Sequence, residues 1–82
     1  MIPVDTDRVW DTFSRVQQEV RAMTRVVERG GVLLAYSRLI NEDPLDREVR
    51  RQMISEELWR QFNQMCHAQR QFEMAVNEPL RP

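Results

Sequence analysis

The sequence contains no lysine, and all twelve basic residues are arginines. Guanidinium groups suit bidentate and stacking contacts at interfaces, but GC-rich coding would produce the same bias, and the arginines are spread along the whole chain. Thirteen acidic residues leave a formal net charge of −1. No overall positive field therefore draws the chain to nucleic acid or to an anionic membrane.

Cysteine and long apolar runs are also scarce. The single cysteine, Cys66, excludes a scaffold built on internal disulfides, although an intermolecular bridge stays open. The longest apolar run, residues 32–36, is far shorter than the roughly 20 residues of a membrane span. The first residues, MIPVDTD, are acidic and lack the basic-then-apolar order of a secretory signal. We therefore expect a cytoplasmic protein with no membrane partner.

Motifs for catalysis are missing as well. The sequence has no glycine-rich phosphate loop, no HExxH and no pair of acids with a histidine on one helix face. Cys66-His67 is the only pairing that suggests chemistry. Adjacent helical residues point about 100° apart, and one cysteine with one histidine cannot fill a four-ligand zinc site. We predict no enzymatic activity, no metal and no cofactor.

The N-terminal part of the sequence predicts a long amphipathic helix. Asp5 can cap its start, and Asp7 adds negative charge to the first turn. Apolar residues then recur at alternating steps of four and three, the spacing that packs one helix against another. This seam comprises Val9, Phe13, Val16, Val20, Met23 and Val27. Trp10 and Val26 widen the apolar stripe.

Gly30-Gly31 follows Arg29 and predicts a helix stop, because glycine adopts the left-handed conformation without steric cost. Continuing a helix through both glycines costs about 2 kcal/mol relative to alanine. We expect a turn here and then a short helix from Val32 to Ile40 that is apolar on most sides and therefore buried. A strand is the weaker interpretation, since no second strand is available to pair with it.

A second turn is predicted at Asn41-Glu42-Asp43-Pro44, where proline disfavours a helical residue before it and suits the first position of a new helix. Beyond it the apolar residues change side, because Leu45 and Ile54 lie about 180° apart on a helix. Either the helix breaks with Ser55 as a new cap, or one helix runs to about Val76 and faces two neighbours. We favour one helix, since nothing near Ser55 breaks it. Residues 77–82 form a loose tail.

These elements predict a single all-α domain over residues 1–82. Two long antiparallel helices, joined by a short buried helix, would form a helical bundle completed by dimerisation, because a core of this size stabilises a chain by only a few kcal/mol. The seam of the first helix would pack against a matching stripe of the last helix, in the core or at an oligomer contact. That stripe comprises Leu58, Phe62, Met65 and Phe72. Most aromatic rings would lie in the core; the alternative is that one tryptophan, with Met53, Met65 or Met74, forms an exposed patch for a partner.

The predicted function is a non-enzymatic protein-binding module, a small adaptor, chaperone or inhibitor that acts through an apolar helix face. Its partner would be another protein, a second copy of itself, or both. Chains of this kind occur among bacterial and phage accessory proteins. The candidate partner-binding residues are Leu45, Val49, Met53, Arg47, Arg50 and Trp59.

Two other functions are weighed against this one. A nucleic-acid-associated regulator would use two arginine clusters, at positions 21, 25 and 29 and at positions 47, 50 and 51. Their acidic neighbours and the net charge argue against that role. A self-assembling helical-hairpin subunit would use the same apolar faces to grow open-ended structures.

Overall fold

The computed structural model describes residues 3–79 and contains two α-helices, α1 (Thr6–Leu39) and α2 (Pro44–Asn77), each of 34 residues. They pack against each other as an antiparallel hairpin that measures 63 × 16 × 14 Å. The radius of gyration is 18.7 Å, against about 12 Å for a compact chain of this length. The all-α architecture with two long, mutually packed helices is confirmed, and its shape is a rod.

Helix α1 starts as predicted but does not stop at the glycines. The carboxylate of Asp5 caps it by accepting a hydrogen bond of 3.1 Å from the backbone N–H of Arg8. The helix then runs unbroken through Gly30 and Gly31, neither of which has a left-handed backbone. The predicted turn at Gly30-Gly31 is therefore wrong.

The two glycines have different surroundings. A Cβ atom on Gly30 would lie only 2.9 Å from the Cγ2 methyl of Ile54 in α2, whereas a Cβ on Gly31 would meet nothing within 4 Å. Gly30 is buried and Gly31 is exposed. Gly30 thus serves a close approach of the two helices, and the packing gained there offsets the weak helix propensity of glycine.

The segment from Val32 to Ile40 is the end of α1 and its cap, and it does not form a separate buried helix. Val32, Tyr36 and Leu39 are exposed, and among its residues only Ser37 is buried. The expectation was wrong because burial of this segment on most sides requires a third element packed over it, in addition to α2. A pair of helices covers only one flank of each, so a segment that is apolar on most sides leaves most of its surface in solvent.

The true turn lies at the predicted position between the helices. Asn41 adopts a left-handed backbone with φ of 51°. Its N–H donates to the carbonyl of Arg38 at 3.2 Å, and the N–H of Glu42 donates to the carbonyl of Ser37 at 3.1 Å. This pair of bonds is the Schellman motif, which ends helices with glycine or asparagine. Pro44 begins α2 and Asp43 occupies the cap position, although its side chain makes no capping hydrogen bond.

Helix α2 passes through Ser55 without a break, which confirms the prediction of one continuous helix. It ends at Asn77, two residues before Pro79. Glu78 then forms an ion pair with Arg8 at 2.9 Å, so the open end of the hairpin is tied at the beginning of the predicted loose tail. Residues 80–82 of that tail lie outside the described residues.

The core between the helices is small. The buried apolar residues in the described range are Val26, Ile54, Ala68 and Ala75. Of the predicted seam, Val20 and Val27 are exposed, and so is Phe62 of the matching stripe. The remaining members are partly buried: Val9, Phe13, Val16 and Met23 on α1, with Leu58, Met65 and Phe72 on α2. The seam therefore lies to one side of the true contact line.

That contact line follows small residues because they allow the helix axes to approach closely. On α1 it passes through Val26, Gly30 and Ser37. The largest apolar side chains are displaced toward the flank, and Trp10 and Trp59 are 66% and 62% exposed. The expectation that most aromatic rings lie in the core is wrong, since Tyr36 and Phe62 are exposed as well and only Phe13 and Phe72 are partly buried.

Candidate functional site

The turn is held by a polar cluster around Glu42, whose side chain is only 10% exposed. Ser37, at 1% exposure the most deeply buried polar residue described, donates its hydroxyl to Glu42 Oε2 at 2.5 Å. Arg50 donates from Nε to Oε2 at 3.0 Å and from Nη2 to Oε1 at 2.9 Å. Arg47 donates from Nη2 to the Glu42 carbonyl at 3.0 Å. The cluster fastens the last turn of α1 to the first turns of α2.

This geometry changes the titration of the carboxylate. The hydrogen bonds from Arg50, and then from Ser37, hold the pKa of Glu42 below its ordinary value. The same pairing raises the pKa of Arg50. Charge-assisted bidentate bonds of this kind are both strong and directional. Arg47 and Arg50, two of the candidate binding residues, therefore use hydrogen-bond donors within the turn itself.

The three apolar candidates Leu45, Val49 and Met53 lie on an exposed flank of α2, and we call them the turn patch. Val49 is 54% and Met53 65% exposed. Val49 and Met53 line a groove of about 380 Å³. Its other lining residues are Leu33, Glu42, Asp46, Arg50, Ile54 and Glu57. The groove has an apolar floor and a charged rim, the usual composition of a protein-binding surface.

Trp59 does not belong to that surface. Residues 53 and 59 lie about 120° apart around a helix, and Trp59 lines a different groove on the other flank of α2. This second groove, of about 270 Å³, is formed by Met23, Ser55, Leu58, Trp59 and Phe62. We call it the outer groove. The ring of Trp59 meets that of Phe62 edge-to-face at 5.7 Å.

Farther toward the open end, the same flank carries a second aromatic contact. The rings of Phe13 and Phe72 lie 5.6 Å apart and join the two helices. The ring of Trp10 lies 6.0 Å from that of Phe13. Apolar surface from α1 and α2 therefore extends along much of this side of the hairpin.

The opposite side of the hairpin is polar over the same length. Arg29 and Glu57 form an ion pair across the helices. The side-chain amide of Gln61 donates to the carboxylate of Glu19 at 2.6 Å. Arg25 and Arg60 line the shallow depression between these contacts. The arginine cluster at positions 21, 25 and 29 is thus exposed but has carboxylates nearby.

Cys66 and His67, the pairing singled out for chemistry, lie on α2. Cys66 is half-buried and His67 is exposed beside it. Across residues 3–79 no three histidine, cysteine or acidic side chains come together as metal ligands. Within the same range, neither helix has a stretch long and apolar enough to cross a membrane.

The fold and its surfaces define a helical hairpin with apolar flanks. Comparison of the sequence with protein-family models, with curated proteins and with solved structures finds no match.

Sequence reasoning placed the turn patch correctly on the surface and missed the outer groove. The groove combines residues from two helices, Met23 of α1 with Leu58 and Phe62 of α2, that the sequence assigned to a seam in the core or at an oligomer contact. The sequence does contain a pattern that indicates the true contact line between the helices. Small residues, such as Ala68 and Ala75, recur at heptad spacing beside the large apolar ones, and small residues mark close helix contacts.

Proposed function

We propose that the protein is a non-enzymatic protein-interaction module that binds another protein through an apolar helix face and itself associates as a homodimer. The observation that carries the proposal is the imbalance between core and surface. In the described chain, Val26 and Ile54 are the only buried apolar side chains larger than alanine, while residues as large as Trp10 and Trp59 are exposed. Association removes such surface from water.

The turn patch is the proposed binding site for the other protein. It is exposed, and it lies beside the Glu42 cluster that fastens the turn. The adjacent groove is lined by Val49 and Met53 and bordered by Asp46 and Arg50. An amphipathic helix of a partner suits this shape, because its apolar residues fill the groove and its polar residues meet the rim. Adaptors, chaperones and inhibitors all use such contacts.

A pair of methionine substitutions tests this site. Met53 and Met74 are both exposed on α2, near the turn and near the open end respectively. We expect Met53→Glu to abolish capture of the partner by the tagged protein in its native cell, and Met74→Glu to leave capture intact. Thermal stability of both variants should stay close to wild type, because neither side chain is in the core. Equal capture by Met53→Glu and wild type would exclude the turn patch as the site.

A self-assembling hairpin subunit is the second candidate. It is favoured by one observation, the presence of apolar surface on two different flanks of a rod 63 Å long. Two different apolar surfaces on one chain can join copies head to tail into an open-ended assembly. Sedimentation over a concentration series separates the candidates, since a subunit of this kind grows without limit and a closed dimer does not.

A nucleic-acid role has weaker support. Arg29 and Arg50 face carboxylates of the chain itself, which reduces their availability for phosphates. If the arginines do bind nucleic acid, affinity should fall steeply with added salt. Helix packing through apolar surface should respond little to the same salt.

A further inference from the structure

We infer that the apolar flank around the outer groove is covered by a second copy of this chain, so that two hairpins form a four-helix bundle. This inference rests on the proposal that the hairpin is an association module, and it names the occupant of one flank. The turn patch lies on the other flank of α2 and stays free for a different protein.

The first support is an uncharged seam on α1 that lies to one side of the contact with α2, with Phe13 at its edge against Phe72. Its members follow steps of three and four over 25 residues, and we call it the outer seam. It comprises Trp10, Phe13, Gln17, Val20, Thr24, Val27, Gly31 and Leu34. All are exposed except Phe13, which is partly buried. Five of its eight members are apolar, and apolar residues repeated at three-four spacing are typical of a helix that packs against another helix.

The position of this seam indicates a third helix. At about 100° per residue, it is centred about 120° around α1 from the buried line of Val26, Gly30 and Ser37. A helix that packs on two sides at such an angle has two helical neighbours, as in a four-helix bundle. Helix α2 supplies only one of them.

Helix α2 carries a matching surface on the same side of the hairpin. This surface is a row of uncharged residues with steps of four and three, and it comprises Ser55, Trp59, Phe62, Cys66 and Gln69. The outer groove joins the two surfaces, since Met23 of α1 lines it together with Trp59 and Phe62 of α2. A partner with two antiparallel helices can cover both surfaces at once, and a second hairpin has that form.

The absence of charge along both surfaces permits pairing with a second copy. A two-fold interface places each residue near the same patch of the other chain, so a charged seam would bring like charges together. The outer seam of α1 has no charged member from position 10 to position 34, and the matching surface of α2 has none from position 55 to position 69. Self-pairing along this flank therefore meets no repulsion.

The area agrees with a dimer. The accessible surface of the chain is 6878 Å², whereas a compact monomer of 9.9 kDa exposes about 5,200 Å². The excess of about 1,700 Å² lies within the roughly 1,000–2,500 Å² that each chain of an obligate homodimer buries. Burying that excess in one contact would bring the exposed surface of each chain to that of a compact monomer of the same mass.

Sedimentation equilibrium and thermal unfolding of the wild-type chain over a wide concentration range test the inference. We expect a monomer–dimer equilibrium and a melting temperature that rises with protein concentration, because association stabilises only the folded chain. A monomer at every concentration with a constant melting temperature would overturn the inference, and so would open-ended growth.

Two matched pairs of variants locate the contact. Val27→Glu places a charge in the outer seam, and Val32→Glu places the same charge on an exposed position about 140° away. We expect the first to weaken dimerisation by more than about 100-fold, and the second to leave it unchanged. If Val27→Glu does not fold, Gln17→Glu and Gln18→Glu give the same comparison with isosteric changes on adjacent exposed residues. A dimer equally stable in seam and control variants would refute this interface.

The outcome is separable from that of the proposed function. A monomer that still loses its protein partner through Met53→Glu, and not through Met74→Glu, contradicts the second copy and the homodimer part of the proposed function. The same result supports binding of another protein through the turn patch. A dimer broken by Val27→Glu that captures no protein through the turn patch supports the inference and contradicts the partner site.

Discussion

Replacing each of the two adjacent glycines by alanine should change stability in opposite directions. Alanine stabilises a helix interior by about 0.5–1 kcal/mol relative to glycine. At Gly31 an added Cβ meets nothing within 4 Å, so we expect Gly31→Ala to gain that amount. The new methyl group also adds apolar surface to the outer seam.

At Gly30 the same change introduces a clash. The Cβ would lie 2.9 Å from Ile54 Cγ2, well inside the roughly 3.5–4.0 Å of a favourable carbon contact. Ile54 is buried, and its branch at Cβ allows little rotation. Overpacking of this kind costs about 1–3 kcal/mol. After the gain in helix propensity, we expect a net loss on the order of 1 kcal/mol, or about 4–8 °C in melting temperature.

Denaturant unfolding followed by far-UV circular dichroism, at one fixed protein concentration, measures both variants. Ile54→Leu removes the offending methyl group and keeps the side-chain volume, so it should lessen the loss caused by Gly30→Ala in a double-mutant cycle. Equal stabilisation by both alanines would refute the close approach of the helices. Destabilisation by both alanines, with loss of the helical circular dichroism signal, would support the turn at Gly30-Gly31 that the sequence predicted.

The remaining predictions concern the turn and the core. Because the pKa of Glu42 is lowered in the folded state, its bonds to Arg50 stabilise the hairpin above the unfolded carboxyl pKa. That stability is lost as pH falls through the folded value, and Glu42→Gln should flatten this acid limb of a stability–pH curve. Asn41→Val should cost about 1–2 kcal/mol in urea unfolding, since a β-branched residue resists a left-handed backbone, whereas Asn41→Gly should not. Ile54→Ala should lower the free energy of unfolding by about 2–5 kcal/mol. A smaller loss would mean that the surrounding residues close the cavity or that water reaches Ile54.

Local features of the hairpin could be predicted where a short stretch of sequence decides the structure. The cap at Asp5 and the turn at Asn41–Pro44 depend on neighbouring residues within one helical turn, and both appear as expected. The continuity of α2 through Ser55 follows from the absence of glycine and proline. The separation of Val49 and Met53 from Ile54 follows from helical periodicity, which places them on different flanks of α2.

Only the tertiary structure decided which flank of each helix meets the other. Periodicity identifies an apolar stripe but cannot say whether a large or a small side chain lies at the contact, because that depends on how closely two axes approach. Gly30 shows the difference. By its local propensity it ends a helix, and by its contact with Ile54 it continues one. The packing energy of that approach belongs to residues 24 positions apart, and no local rule contains it.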